Sequence, residues 1–392
     1  MSPPLRVAID LRRVADGDRG GISRFAVGVT QALARHDSLT VLPFAHTELP
    51  VALPVEVHHL GGGREATREQ FALPALLRRL DADVLLSPAN RGLPLITPCP
   101  MVLVLYDVAE WDRTLVAAPE GGGAATRFAY ANAVSLSRAA RIVTTSDHSA
   151  GAIQRRLGIS EERIRVVPGG LDERFLDEPG VDAVARARQL YGVIPGSILH
   201  VGSLHARKDL PTLVRAVSQL PASLAPRLVL AGSGPEEESL RSMARVIGMA
   251  DRLHVAGFVG YADLPAVYHA ASCVVLAGTG EGFGLPVLEA MAAGTPVVAA
   301  RAGALPEVVG HAGRLFPAGD APALASHLRD VLDSPAEAAR MGAEGREHAA
   351  SYSWDRAARG IDGVLREAVT LTRGQLARQQ VASLRSLTRW LR

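Results

Sequence analysis

At 392 residues the sequence exceeds the size at which a single hydrophobic core stops growing, so two domains are expected. Hydrophobic residues make up 48%, charged residues 21% and aromatics 4%, and 42 basic against 40 acidic residues leave a formal net charge of +2. That balance excludes a disordered chain, nucleic-acid binding through stacked aromatics and a general attraction to polyanions. Cys99 and Cys273 supply neither a disulfide framework nor a zinc site. Residues Met1 to Arg13 lack the apolar core of a secretory signal, and no run approaches the roughly eighteen apolar residues of a membrane span. A cytoplasmic protein is expected, with peripheral attachment to the inner face of a membrane left open. Among the basic residues only one, Lys208, is a lysine; the other forty-one are arginines.

Along the chain, short apolar runs alternate with helix-like segments. Strands are expected in the first half at Leu5–Asp10, Thr40–Ala45, Val84–Ser87, Met101–Asp107, Arg141–Ser146 and Arg163–Pro168. Helices fall between them at Ile22–Arg35, Gln70–Leu80, Ala124–Arg138 and Ser149–Leu157. The second half predicts strands at Ser197–Gly202, Arg227–Gly232, Leu253–Gly257, Ala271–Ala277, Pro296–Ala300 and Gly313–Phe316. Its helices are expected at Leu210–Leu220, Glu236–Ile247, Ala262–Ala270, Pro286–Ala293 and Pro322–Leu332. Near-continuous apolar strands alternating with helices indicate parallel sheets covered on both faces, one Rossmann-like unit in each half. The polar stretch Asp177–Pro195 holds the expected boundary, giving domains 1–185 and 186–365 and a helical tail 366–392.

Four constellations carry chemistry. Glu281-Gly282-Phe283-Gly284-Leu285-Pro286-Val287-Leu288-Glu289 follows an apolar strand and opens a helix. This places Glu281 in the loop at the strand's C-terminal end, where open α/β sheets bind ligands, and Glu289 in the first helical turn. Alternatively, Glu289 only complements the helix dipole and Glu281 is a solvated loop residue. Val201-Gly202-Ser203-Leu204-His205-Ala206-Arg207-Lys208-Asp209-Leu210 also leads from strand to helix. Two adjacent cations at a helix N-terminus are disfavoured unless an anion sits there, so a phosphate or diphosphate is the natural ligand.

The other two constellations lie in the first half. Arg19-Gly20-Gly21-Ile22-Ser23-Arg24 forms a further phosphate-grade turn. Neither half carries G-x-G-x-x-G after its first strand, which speaks against a nicotinamide dehydrogenase. Leu105-Tyr106-Asp107 ends an apolar strand, so Asp107 either faces the interdomain space or caps the next segment. Ser146 and the turn Ser87-Pro88-Ala89-Asn90 occupy similar strand ends and are candidate lining residues.

These residues resemble the nucleotide-sugar-dependent glycosyltransferases of family 4. The second half carries the resemblance through Val201 to Leu210, Leu230-Ala231-Gly232-Ser233-Gly234-Pro235, Gly257-Phe258-Val259-Gly260, Glu281 to Glu289, Gly294-Thr295-Pro296-Val297-Val298, Leu305-Pro306-Glu307-Val308-Val309-Gly310 and Tyr352-Ser353-Trp354. The first half is similar more loosely, through Ile9-Asp10, Gly20-Gly21-Ile22 and Tyr106-Asp107. The resemblance implies an α/β protein of the GT-B fold, two Rossmann-like domains facing across an interdomain cleft, acceptor side first and donor side second. It implies that Arg207 and Lys208 hold the donor diphosphate, with Ser203 and Gly232 in the same donor site. Glu289 would accept hydrogen bonds from the ribose hydroxyls. Glu281 would touch the transferred sugar beside Gly282, Phe283, Gly284 and Leu285, and backbone around Phe258 and Val259 would read the base. Gly20 and Gly21 would close on the diphosphate from the other domain.

Catalytic roles would fall to Glu281, Asp107, Arg207 and Lys208, with Tyr106, Asp107, Asn90 and Ser146 on the acceptor side. Many relatives carry His-Asp where this chain has Tyr106-Asp107, and Tyr does not readily take a proton at neutral pH.

The expected activity is therefore retaining, metal-independent and cofactor-free hexosyl transfer in polysaccharide biosynthesis. The donor would be a nucleoside-diphosphate sugar, GDP-mannose or a UDP-sugar, and the acceptor a glycan, a lipid-linked glycan or another glycoconjugate. A non-catalytic sugar-nucleotide-binding subunit and a GT-B epimerase are the alternatives. The tail from Arg366 holds six arginines and one glutamate among leucines. It either crosses back to pack on the first domain or meets anionic lipid as a peripheral membrane contact.

Overall fold

A computed structural model describes residues 3–18, 20–88, 93–108 and 135–390. The expectations for Asn90 and for most of the helix 124–138 lie outside the described residues.

The chain forms two compact units, Met1–Gly170 with Trp354–Arg392, and Leu171–Ser353. In the first unit the strands are β1 (Leu5–Asp10), β2 (Leu39–Ala45), β3 (His58–His59), β4 (Val84–Ser87), β5 (Met101–Val104), β6 (Arg141–Thr144) and β7 (Ile164–Val166). They form one sheet in the order β3-β2-β1-β4-β5-β6-β7. All pairings are parallel, with Val7 opposite Val41 on one side and Val84 on the other. In the second unit β8 (Ile198–Val201), β9 (Leu228–Ala231), β10 (Leu253–Gly257), β11 (Cys273–Leu276), β12 (Val297–Ala300) and β13 (Arg314–Phe316) are ordered β10-β9-β8-β11-β12-β13. These too are parallel throughout. In each sheet the strand order reverses beside the first strand, β1 or β8, which is the topological switch point of a doubly wound sheet. The central strands are buried on both faces, which explains their continuous apolar runs.

The units divide at other places than the sequence predicts. The segment expected as a boundary belongs to the second core: Val184, Ala187 and Val193 are buried in it, and Leu171, ahead of that segment, bridges to Ser353. The return to the first unit comes at Trp354, ahead of the expected tail. The helix Trp354–Thr370 buries Ala357, Ala358, Ile361, Val364, Leu365 and Ala368, a stripe at helical spacing, in the first unit's core. Its Trp354 ring packs on Gly28, where a Cβ would stand 2.4 Å from the indole. The last helix, Arg373–Trp390, also packs on the first unit, where Arg138 Nη1 donates to Gln380 Oε1 at 2.9 Å and Arg163 donates to Ser383 Oγ. No helix among the described residues is long and apolar enough to cross a membrane.

The helix predicted at Gln70–Leu80 begins earlier and is not uniform. Glu65–Thr67 runs into a π-helical turn, Arg68–Ala72, before Leu73–Arg79. Such turns often mark functional positions, and this one carries Glu69 inward.

Candidate active site

In the second unit the loops after β8, β9, β10, β11 and β12 leave the same edge, because the strands are parallel. The first two come together at Gly202 and Gly232, where Gly202 N donates to Ala231 O at 3.0 Å. A Cβ on Gly232 would lie 1.8 Å from Gly202 O, so only glycine fits. The β8 loop then winds into a 3-10 turn, Ala206–Lys208, and Asp209 leads into the helix Leu210–Ser218. The two cations thus sit in the turn before the helix, one step ahead of the expected helix N-terminus.

Glu281 draws them together. Lys208 Nζ donates to Glu281 Oε1, and Arg207 Nη1 lies 3.5 Å from Glu281 Oε2 and from Gly280 O. Backbone fixes both loops: Thr279 N donates to Arg207 O at 3.0 Å, and Ala304 N to Glu281 O at 2.9 Å. Gly303 permits this approach, since a Cβ there would meet the Glu281 backbone at 2.7 Å. Side-chain exposure is 7% for Lys208, 11% for Glu281 and 36% for Arg207, so the fork of Arg207 faces outward. Burial pushes the Glu281 carboxyl up, but the Lys208 and Arg207 charges outweigh it and hold the group below the usual range. Two cations and one carboxylate leave a formal +1. The solvated-loop alternative for Glu281 is thereby overturned.

His200, inside β8, lies beneath this cluster. Its Nδ1 is 3.1 Å from Val275 O, which can only accept, so Nδ1 carries the proton. Nε2 is buried with no hydrogen-bond partner among the described residues. Burial, then the Lys208 charge, holds the imidazole down at about 4 and therefore neutral.

Glu289 sits in the second turn of the helix Leu285–Ala292, not the first as expected. It has left the turn where the dipole acts. It is 3% exposed, and Tyr268 Oη donates to its Oε2 at 2.9 Å. Gly284 caps this helix, with Gly282 and Leu285 half-buried and Phe283 buried beside it. Ser203 is half-buried in the β8 loop. After β10, Phe258 is exposed and Val259 buried.

In the first unit Gly20 and Gly21 are exposed at the start of the helix Gly21–Leu33. Gly20 N donates to Asp18 Oδ1 at 2.9 Å, and Arg13 Nε donates to Asp18 Oδ2 at 2.6 Å. Tyr106 is locked: its Oη donates to Pro88 O at 2.7 Å and its ring meets Phe25 edge-on at 5.4 Å. Burial pushes its phenol well above the ordinary value. Asp107 is half-buried beside it. Ser146 is buried, and its Oγ accepts from Ser149 N at 3.1 Å, which makes it a helix cap.

Sequence reasoning missed three parts of these sites. A lone histidine in the apolar strand Ile198–Val201, and a tyrosine on the helix Leu264–Ala270, buried except at His269, are the available signals for His200 and Tyr268. Less visible was a buried trio at the end of β1. Arg12 Nε lies 3.0 Å from both Asp10 oxygens, Nη2 donates to Asp10 Oδ2 at 2.6 Å, and Nη1 reaches Glu69 Oε1 at 3.3 Å. Nothing local pairs position 12 with position 69.

Known proteins match both units. The model of the family described as Glycosyltransferase Family 4 matches residues 19–175, and that described as Glycosyl transferases group 1 matches 195–348. D-inositol 3-phosphate glycosyltransferase 1 of Catenulispora acidiphila is 27% identical, over 93% of this chain and 95% of its own. O-antigen chain mannosyltransferase B of Escherichia coli is 30% identical, over 56% of this chain and 59% of its own length. The fold matches Anabaena HepE, solved with UDP and glucose, at a TM-score of 0.72 and 20% identity over 93% of this chain and 100% of that one. With the paired doubly wound sheets, these matches place the chain in the GT-B glycosyltransferases, with a family 4 first domain and a group 1 second domain.

Proposed function

We propose that this glycosyltransferase moves a hexosyl unit from a nucleoside-diphosphate sugar to a glycan, lipid-linked or glycoconjugate acceptor, with retention of configuration. The observation that carries the proposal is the Arg207–Lys208–Glu281 cluster, cationic overall and fixed by backbone at a sheet edge. Breaking the glycosidic bond develops negative charge on the leaving diphosphate. Preorganised cations there stabilise the transition state more than the ground state. Arg207 and Lys208 supply that charge from the protein, so transfer is expected to persist in EDTA. Glu289 accepts from the ribose hydroxyls, backbone near Phe258 and Val259 meets the base, and Glu281 orients the cations and touches the sugar. In the first domain, Asp107 orients the acceptor while Tyr106, its proton spent on Pro88, holds the strand end in place.

The donor is GDP-mannose or a UDP-sugar. The mannosyltransferase relative supports the first and the UDP-bound fold neighbour the second. The inositol-phosphate relative adds phosphorylated polyols to the acceptors worth testing. For a lipid-linked acceptor the arginine-bearing tail provides peripheral contact with the cytoplasmic membrane face. Liposome co-sedimentation of the full chain against one ending at Thr370 tests that part.

The direct test is a thermal-shift panel of GDP-, UDP-, ADP- and dTDP-sugars, followed by release of nucleoside diphosphate with and without acceptor. One donor is expected to raise the melting temperature and to turn over. A bound donor without turnover under any acceptor would favour a non-catalytic binding subunit.

A further inference from the structure

The carboxylate of Glu289 is held from within the domain. Tyr268, fully buried on the helix Leu264–Ala270, gives its single phenolic proton to Glu289 Oε2 at 2.9 Å. Tyr268 is itself pinned: its carbonyl accepts from Thr295 Oγ1 at 2.8 Å, and its ring packs edge-on against buried Phe175 with centroids 6.0 Å apart. Phe175 is braced in turn by Tyr261, at 5.7 Å. The phenol therefore cannot follow Glu289 if the carboxylate turns, and the bond restrains Oε2 to one position.

A carboxylate has only acceptor sites, about four lone-pair directions over two oxygens. One phenol occupies one of them. A carboxylate fixed in this way rewards ligand hydroxyls in matching positions and penalises a ligand that lacks one, because a desolvated acceptor is then left short. We propose that Tyr268 is the positioning residue through which the donor site selects ribonucleotides over deoxyribonucleotides, by holding Glu289 in one orientation toward the ribose hydroxyls. The inference rests on the donor-site reading of Glu289 given above.

Binding of UDP and GDP, and of their 2′-deoxy and 3′-deoxy counterparts, to the full chain tests it by calorimetry. In the unaltered protein the ribonucleotide is expected to bind at least roughly tenfold tighter than one of its deoxy forms. Tyr268→Phe is expected to bring that ratio to within about threefold, raising KM for the donor more than it lowers kcat. Glu289→Gln is expected to lose the ratio as well, and the double variant to be no worse than Glu289→Gln alone. If Tyr268→Phe weakens ribo and deoxy forms equally, or keeps the full ratio while Glu289→Gln loses it, Tyr268 is only structural and the inference is wrong. If Glu289→Gln itself binds every nucleotide as the unaltered protein does, the ribose reading of Glu289 falls instead. Should Tyr268→Phe fold poorly, 3-fluorotyrosine at position 268 keeps the shape and changes only the phenol's donor strength. An altered ratio at unchanged melting temperature supports the inference, and an unaltered one overturns it.

Discussion

The two domains share the order of their first six strands yet finish the first of them in opposite ways. At the end of β1, Arg12 is enclosed by Asp10 and Glu69, one cation between two carboxylates, with the Arg12 and Asp10 side chains at most 2% exposed. After β8, Glu281 is flanked by Arg207 and Lys208, one carboxylate between two cations, and Arg207 reaches solvent. The formal charges are −1 and +1. The first trio is closed and stitches the π-helical turn to the sheet. The second is open on one side and has charge to spare. The same scaffold therefore carries one ion cluster closed within its core and another that opens to solvent through Arg207. Burial of the guanidinium, more than the presence of charge, separates the two clusters.

That contrast can be broken most forcefully at the cations. Replacing Arg207 and Lys208 together by Ala is expected to lower donor turnover roughly a thousandfold or more, since it removes the charge that answers the leaving diphosphate. Release of nucleoside diphosphate measures it, and near-normal turnover would refute the diphosphate assignment. Arg12→Ala makes the complementary experiment. It leaves two buried carboxylates facing each other and should cost about 3–5 kcal/mol in urea unfolding. The melting-temperature rise on adding donor should survive, and its loss would erase the distinction between the domains.

A third expectation concerns pH. The folded His200 titrates at about 4 against an ordinary value of 6.5, because burial and then Lys208 oppose its charge. Between those values the unfolded chain binds the proton and the folded one does not, so stability falls as pH drops through that window, by about 3 kcal/mol in all. Urea titrations at stepped pH should show this fall, and His200→Leu should flatten it. An equally steep fall in the variant would move the effect to another group. The smallest effect is expected from Lys208→Arg, which keeps the charge but forces a planar fork into a buried site shaped for a compact ammonium. Transfer should drop about tenfold. Full activity would mean that the lysine at this position is incidental.

Much of this was legible in the sequence. The strand at Leu5–Asp10 and the strand–loop–helix passages around Lys208 and Glu281 stand out because apolar runs, glycines and prolines punctuate them. Boundaries were harder. The stretch from Asp177 looks polar, yet Val184, Ala187 and Val193 find the second core by contacts distant in sequence. The return helix Trp354–Thr370 is faint in the sequence because its buried stripe begins with alanines, Ala357 and Ala358, which give a weak hydrophobic signal. Pairings such as Tyr268 with Glu289 or Arg12 with Glu69 depend on which helix lies beside which strand, and no local pattern encodes that.

The lone lysine has a practical consequence. Apart from the chain's α-amino group, this sequence offers amine-reactive reagents a single target, Lys208, and that target is ion-paired with Glu281 and nearly covered. Gentle reductive methylation with an isotope-labelled reagent would give one ε-dimethylamine resonance in the whole molecule. Its chemical shift, and the rate at which the reagent reaches it, would read the state of the Lys208–Glu281 pair directly. On the proposed donor site, nucleotide is expected to compete with the label, and mass spectrometry of a single peptide would report occupancy without any engineered probe.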